Sequence, residues 1–552
     1  MASAQSNAQS NWTTVVNNGS VMPGSNNVVF NSYNQPSINS LGTVVFRARS
    51  KGGSGSGSGG NEVNFAFLAA SKSSSGNGGG GKGGNGNGGG GSGSGESGPV
   101  HGIYMRNMLR GTATIRVFDK TSVVPQPNNT GATFTEFPSF PRIDLLTNTV
   151  ATRGASQPVW TYSLNGTDTK VGTSGVYVVQ RGDDLTANSQ LGVVPEYSFF
   201  QVPGVAPGLR FDQFPGAPAV SGNSIAFKGN YSEVDAENNL LSKTGVYFRN
   251  IIKGGGVGPV QRIADTSTLI PGTTTPFGAT APPSAALGMM VFTGWDNEDN
   301  PTMGGIYRAF LRTDPALTPI VEILKTQVPG EAAGVTFTNV GESLAFDSRF
   351  VAFWGSWGTE KRYVNLTCPI DGNKDLIAYC LSLYSSGVVS KPVPLNQGIF
   401  VYDGITRRIT ALAKSPTNFD DFLYWVFSGK PPGTGNTDEN VDGEPARWRS
   451  SAFVGVSSKR LLFQSVFKAH RDNTNVDGIY YFDATSGSGI TTLLDTATPG
   501  QTVDPQAPAG STVVSLGVER DGLRANWLAI TASMLNTTTQ ESWAGVYTRN
   551  LR

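Results

Sequence analysis

The phrase Val351-Ala352-Phe353-Trp354-Gly355, answered after a long insertion by Gly398-Ile399-Phe400, decides the fold because it recurs along the whole chain. Its second half returns as Gly102-Ile103-Tyr104, Gly175-Val176-Tyr177, Gly245-Val246-Tyr247, Gly305-Ile306-Tyr307, Gly478-Ile479-Tyr480 and Gly545-Val546-Tyr547, giving seven copies with the first. Ahead of each stands an apolar run closing on a small residue, such as Val44 to Ala48, Ile225 to Gly229, Met290 to Gly294 or Leu528 to Ala532. Both halves are short, β-branched or aromatic, and bounded by Gly, Asn, Asp and Ser. They read as strands, since a helix needs apolar spacing sustained over ten or more residues.

Two further strands complete the unit. Runs such as Val260 to Asp265 follow the Gly-Ile-Tyr strand and lead to a Pro, as in Ile270-Pro271-Gly272, Val328-Pro329-Gly330 and Thr498-Pro499-Gly500. Small-residue runs such as Pro36-Ser37-Ile38, Pro283-Ser284-Ala285 and Glu342-Ser343-Leu344 precede the Val-Ala-Phe strand. Named A to D in chain order, four antiparallel strands repeated seven times predict an all-β, seven-bladed β-propeller. The last unit ends at Gly545-Val546-Tyr547-Thr548-Arg549, one strand short, while Thr13 to Gly24 parallels Gln261 to Gly272 down to the Pro-Gly. An N-terminal strand D is therefore expected to complete the last blade and close the ring, which removes its free edges. The second blade has no clear strand D between Arg181 and Phe211.

The order Pro-Ser-Ile, loop, Val-Ala-Phe-x-Gly, loop, Gly-Ile-Tyr, strand resembles the blades of TolB-like propellers and, more closely, secreted bacterial propeller repeats. That resemblance implies a fold rather than a function, because propellers host many activities. It also implies that the B–C and D–A loops share one face.

The repeats run from end to end, so residues 1–552 read as a single domain despite their length. Residues 50–98, nearly all Gly, Ser and Asn, form an insert between strands B and C of the first blade, and their composition predicts disorder. Within it Val63-Asn64-Phe65-Ala66-Phe67-Leu68 could form an extra strand. Other long stretches, expected as loops on the same face, are Ala155 to Ser174, Asn230 to Thr244, Ser356 to Gln397 and Lys414 to Arg449; long loops on a rigid scaffold are where function usually sits.

A net charge of +1, with 15% charged residues, leaves no footprint for nucleic acid. No apolar run of about 18 residues exists to span a bilayer. The first residues, Met1 to Asn7, lack the basic and apolar regions of a signal peptide, which read literally places the chain in the cytoplasm. Cys368 and Cys380 point the other way. They are the only cysteines, lie in one B–C connection, and can meet as a disulfide, which favours an extracellular or cell-surface setting.

The catalytic inventory is thin. With only His101 and His470, no histidine-rich metal site is possible, and no catalytic residue is assigned. Alternating oxygen side chains in two B–C loops, Asp296, Glu298 and Asp299 in one and Asn473, Asn475 and Asp477 in the other, suit a hard cation such as Ca²⁺, although neither loop carries the distal bidentate Glu of an EF-hand. Trp160, Trp295, Trp357, Trp425, Trp448 and Trp543 lie in or beside loops of the same face, where exposed indoles would suit sugar rings or protein partners. The expected function is thus an extracellular binding or adhesion module for glycan or protein ligands. One rival is a carbohydrate-active hydrolase or lyase using Asp296, Glu298 or Asp477 near the central channel. Another is a matrix or wall protein acting through the Gly-rich insert.

Overall fold

A computed structural model describes residues 11–51, 100–125, 133–156, 160–164, 167–171, 175–182, 189–195, 202–211, 213–252, 256–370, 374–417, 419–429, 431–432, 445–471 and 476–552. Seven antiparallel sheets form the blades, each ordered A-B-C-D. Strands B and C of the seven blades are Thr43–Ser50 and His101–Asn107, Asn148–Ser156 and Gly175–Arg181, Ser224–Val234 and Leu240–Asn250, Met289–Trp295 and Gly304–Phe310, Phe350–Thr367 and Val388–Asp403, Leu462–Arg471 and Val476–Asp483, and Trp527–Leu535 and Ser542–Asn550. Because neighbours run antiparallel in chain order, the A–B and C–D turns fall on one face and the B–C and D–A connections on the other.

The Gly-x-Tyr phrase has a structural cause in the C–D ladder. In every blade strand D carries a β-bulge opposite it, at Val117, Val193, Ile263, Ile320, Leu412, Leu493 and Val15. The aromatic ring then folds back over the glycine two residues before it. A Cβ at Gly245 would lie 2.5 Å from the Tyr247 hydroxyl, and one at Gly545 would lie 2.6 Å from that of Tyr547. The glycine keeps room for the ring.

The N-terminal strand Thr13–Asn17 pairs with Ser542–Asn550 and carries the seventh bulge, so it is strand D of blade 7 in register with its six counterparts. In blade 2 strand D is Ser189–Pro195. The Pro-Gly mark of this blade stands farther on, at Val202-Pro203-Gly204, with Val202 fully buried.

Strand A is longer than the small-residue runs suggested. In five blades it is broken in two, as Phe30–Tyr33 with Ser37–Ile38 in blade 1, and in six of the seven blades an aromatic ring stands at or just before its start. Phe30, Phe134, Phe211, Phe277, Phe337 and Phe419 each set an edge against the C-strand aromatic of their own blade, with centroids 4.6 to 5.3 Å apart. The small residue that closes the B phrase covers this ring: a Cβ on Gly154 or Gly229 would come within 2.5 Å of Phe134 or Phe211. Blade 7 replaces the A and B aromatics with Val513 and Ile530, both buried.

Candidate ligand-binding face

The middle of strand A lies nearest the axis, and in blade 7 it carries Glu519-Arg520-Asp521 between Thr512–Gly517 and Leu523–Arg524. This short segment touches blades on every side. Arg142 of blade 2 pairs with Glu519 and, at 3.3 Å, with Asp521. Arg520 donates to the carbonyls of Pro282 and Pro283 in blade 4, at 3.4 and 3.3 Å. Arg524 pairs with Asp521 and donates to Phe346 O of blade 5 and Val456 O of blade 6, both at 3.1 Å. Only at the centre of a ring can one strand meet blades 2, 4, 5 and 6. The axis is filled by this charge cluster, whose five side chains are all buried. Burial, with Arg142 alongside, pulls Arg520 down to about 10. A carboxylate pair does converge here, but Arg142, Arg520 and Arg524 surround it.

Toward the B–C face two blades place ionisable groups at equivalent positions. Arg47 and Lys468 follow the B-strand Phe, while Arg49 opposite His101 in blade 1 matches His470 opposite Asp477 in blade 6. In blade 1 the group is closed onto blade 2. Glu136 takes Arg47 at 2.7 Å, His101 Nδ1 at 3.0 Å and Arg49 at 3.1 Å. Arg47 Nε donates to His101 Nε2 at 2.7 Å, and since Arg can only donate, the imidazole proton sits on Nδ1 facing Glu136. Burial and Arg47 bring His101 down to about 3, so it is neutral. Burial pushes Glu136 up, but Arg47, His101 and Arg49 outweigh it and hold the carboxyl well below its usual range.

Blade 6 is built differently. Asp477 accepts from His470 Nδ1 at 2.9 Å and pairs with Lys468 at 3.3 Å, and Lys468 lies 3.7 Å over the Tyr424 ring. Burial raises Asp477, yet His470 and Lys468 hold it below the ordinary carboxylate value, while burial lowers Lys468. Beside them Trp354 Nε1 donates to Gln397 at 2.8 Å, Gln397 donates to Asp421 at 3.0 Å, and Arg362 pairs with Asp421 at 2.6 Å. Burial drives Asp421 upward against the pull of Arg362.

Above these groups rises a head that no other blade has among the described residues. Strands B and C of blade 5 continue past the sheet as a two-stranded arm, from Lys361 opposite Pro394 to Thr367 opposite Val388. A helix, Lys374–Leu383, follows the arm and is tied to it by the Cys368–Cys380 disulfide. A hairpin, Leu423–Ser428 with Arg447–Ala452, leaves strand A of blade 6 and packs Phe427 and Trp448 against Leu366, Leu376 and the disulfide as a separate small core. Ion pairs bolt the head down: Arg362 to Asp421, and Arg447 to Glu298 at 2.5 Å and Asp299 at 3.2 Å. Its outer surface sets exposed apolar side chains among polar ones, with Tyr363 72% and Ile370 91% exposed and Leu381, Leu383 and Val388 also open.

The stretches read as loops are therefore largely ordered ribbons: a hairpin of Trp160–Leu164 with Thr167–Val171, lengthened strands in blade 3, the arm and helix in blade 5, and the hairpin in blade 6. The tryptophans differ from expectation too. Trp295, Trp357 and Trp448 are buried, Trp425 and Trp543 are half-buried against hydrophobic clusters, and Trp543 donates to Asp504 at 3.0 Å. They pin connections to the disc because an indole buries more area against its own scaffold than a loop otherwise could. Trp160 lies in the blade 2 hairpin.

The acidic loops are occupied by protein donors. Asp296 accepts the N–H groups of Asn297, Thr302 and Met303 at 3.0 Å, and its carboxyl is held below the usual value although burial opposes this. Glu298 and Asp299 face Arg447, and Asp477 faces His470 and Lys468. Among the described residues no group of three or more His, Cys, Asp or Glu side chains is placed to hold a metal ion. The Ca²⁺ site expected from Asp296, Glu298, Asp299 and Asp477 is thus replaced by turn hydrogen bonds and ion pairs; Asn473 and Asn475 lie outside the described residues, as do Val63 to Leu68 and nearly all of the Gly-rich insert. Among the described residues no helix is long and apolar enough to cross a membrane. A polar cavity of about 370 Å³ lies at the ring closure, lined by Asn17, Arg106, Asp504 and Gln506 among others.

What the fold and face define is a seven-bladed propeller with a plugged axis and a stapled head on one face. No family model matches the chain, and no curated protein matches it. Among solved structures, a periplasmic gluconolactonase of Pseudomonas aeruginosa aligns with 72% of this chain and 91% of its own at 10% identity, with a TM-score of 0.24. A score that low carries neither residues nor activity across. The propeller fold stands on the blades themselves, and the finer resemblance to TolB-like propellers is not shown by these comparisons.

Proposed function

We propose that the protein is an extracellular or cell-surface binding module whose ligand, a glycan or a protein, is taken on the B–C face at the head formed by blades 5 and 6. The observation that supports this is the asymmetry of the disc. Extra strands, a helix, a disulfide and several exposed apolar side chains are gathered on one face, above an axis closed by ion pairs. Function on rigid scaffolds is carried by such insertions, and the disulfide fits an oxidising compartment. Trp425, half-buried at the hairpin, is the indole best placed to meet a ligand there. For the hydrolase reading, Asp296, Glu298 and Asp477 are engaged by backbone N–H groups, Arg447, and His470 with Lys468, and the carboxylates at the axis, Glu519 and Asp521, are engaged by three arginines, which suits a structural plug better than an acid and base.

The test is a variant in which the arm from Lys361 to Pro394 is replaced by a two-residue turn, compared with the full chain on a glycan array and in capture of cell-surface proteins. Loss of binding with the thermal transition of the disc retained supports the reading. Binding that survives the excision removes it.

A further inference from the structure

The arm is a ribbon with two outer edges, and they differ. Facing pairs run Lys361–Pro394, Tyr363–Pro392, Asn365–Ser390 and Thr367–Val388. Pro392 and Pro394 have no N–H, so their positions are the non-hydrogen-bonded ones, with the backbone groups of all eight residues turned outward. On the strand C edge two of the four outward nitrogens are thus blocked by proline, a common way of closing an edge. On the strand B edge Lys361, Tyr363, Asn365 and Thr367 all keep N–H and C=O. All four residues are exposed, and none of these groups bonds another described residue beyond the ribbon.

We propose that this edge pairs with the same edge of a second copy of the chain, joining two arms into a four-stranded antiparallel sheet about a two-fold axis. The register that uses all four residues sets Lys361 against Thr367 and Tyr363 against Asn365, in both directions. It forms about eight backbone hydrogen bonds, two for each pair. Pair number and charge together select it: sliding one step either way sets Tyr363 against Tyr363 or Asn365 against Asn365 and gives up one of the four pairs, and sliding further toward Lys361 sets Arg362 against Arg362, then Lys361 against Lys361. Tyr363, more than two-thirds exposed in one copy, gains a cross-strand neighbour. The outer edges of the new sheet are the proline-bearing ones, so the contact is isologous and stops at the dimer. A ribbon edge is small beside the ~1,200–2,000 Å² of a standard interface, so association is expected at micromolar concentrations or above.

Sedimentation velocity of the full chain over a concentration series, together with hydrogen exchange of residues 361–367, tests this. A monomer–dimer equilibrium is expected, with the Tyr363 and Asn365 amides gaining protection as concentration rises. Asn365→Pro removes one outward N–H at a site equivalent to those of Pro392 and Pro394. The pair Tyr363→Lys and Asn365→Lys keeps every N–H but opposes lysines. Each should weaken association at least tenfold with unchanged circular dichroism. Monomer at all concentrations, a dimer indifferent to the lysine pair, or edge amides equally protected at every dilution, as when another segment of the same chain covers them, overturns the proposal.

Discussion

The disc and the head are stabilised by opposite means. Around the disc one solution recurs: a strand D bulge and an aromatic folded over a glycine in every blade, with an edge-on ring from strand A in six of the seven, so the blades are held by this repeated packing and by their neighbours. The head, found once among the described residues, has a small core of its own and is fixed by a disulfide and a few ion pairs. Repetition makes the disc stiff, since every joint backs the next, and leaves the head as the part that can vary.

The sharpest break of this contrast is at the ring closure. Deleting residues 1–24 removes strand D of blade 7 with buried Trp12, Val15, Val16 and Met22. At about 1.5–3 kcal/mol per buried side chain the loss is roughly 6 kcal/mol or more, and chemical denaturation should show the whole disc weakened while the head disulfide is intact. Replacing Cys368 and Cys380 by Ser should do the reverse. Opening of the head becomes easier by about 3 kcal/mol, read as faster amide exchange in residues 361–394, with the midpoint of the disc unmoved. Gly229→Leu drives a side chain into the Phe211 ring and should cost the disc about 2–3 kcal/mol by overpacking.

Those three changes also measure how much was legible beforehand. Glycines two residues before an aromatic mark every blade because ring and bulge together demand them, and the missing strand in the last unit forecasts the N-terminal closure. The first piece of strand A escaped notice, since its Phe is separated by a break from the small-residue run that follows. Blade 2 hid its strand D because Val202-Pro203-Gly204 stands several residues beyond it. Lys374–Leu383, only ten residues long, shows too little periodicity to announce a helix. Glu519-Arg520-Asp521 reads as a solvated turn, and nothing local says that it faces the axis. For the tryptophans and acidic loops, residue type was visible but exposure was not, because exposure depends on which ribbon lies above.

Acid provides the finest comparison, within the disc itself. His101 titrates near 3 in the fold and near 6.5 when unfolded, so below pH 6.5 the unfolded chain gains a proton that the fold does not. Stability contributed by neutral His101 is lost as pH falls from 6.5 toward about 3, at about 1.4 kcal/mol per unit, or about 2 kcal/mol by pH 5. Glu136, held low, loses its contribution over the still more acidic range below the unfolded carboxylate value. Asp421 has the opposite sign: its raised carboxyl gains a proton more readily in the fold, so acid relieves its burial. His101→Gln should flatten the fall in unfolding free energy between pH 6.5 and 5, and an unchanged slope would show that the blade 1 cluster is not the acid-sensitive joint.

The most direct test of a rigid disc bearing a separable head is native-state hydrogen exchange of the full chain, with and without a thiol reductant. Strands B and C of all seven blades should exchange only through global unfolding, while residues 361–394 and 423–452 open at lower cost, with reductant accelerating the head alone. If the central B and C strands of blades 5 and 6 lose protection together with the head on reduction, the two are one cooperative unit and the division fails.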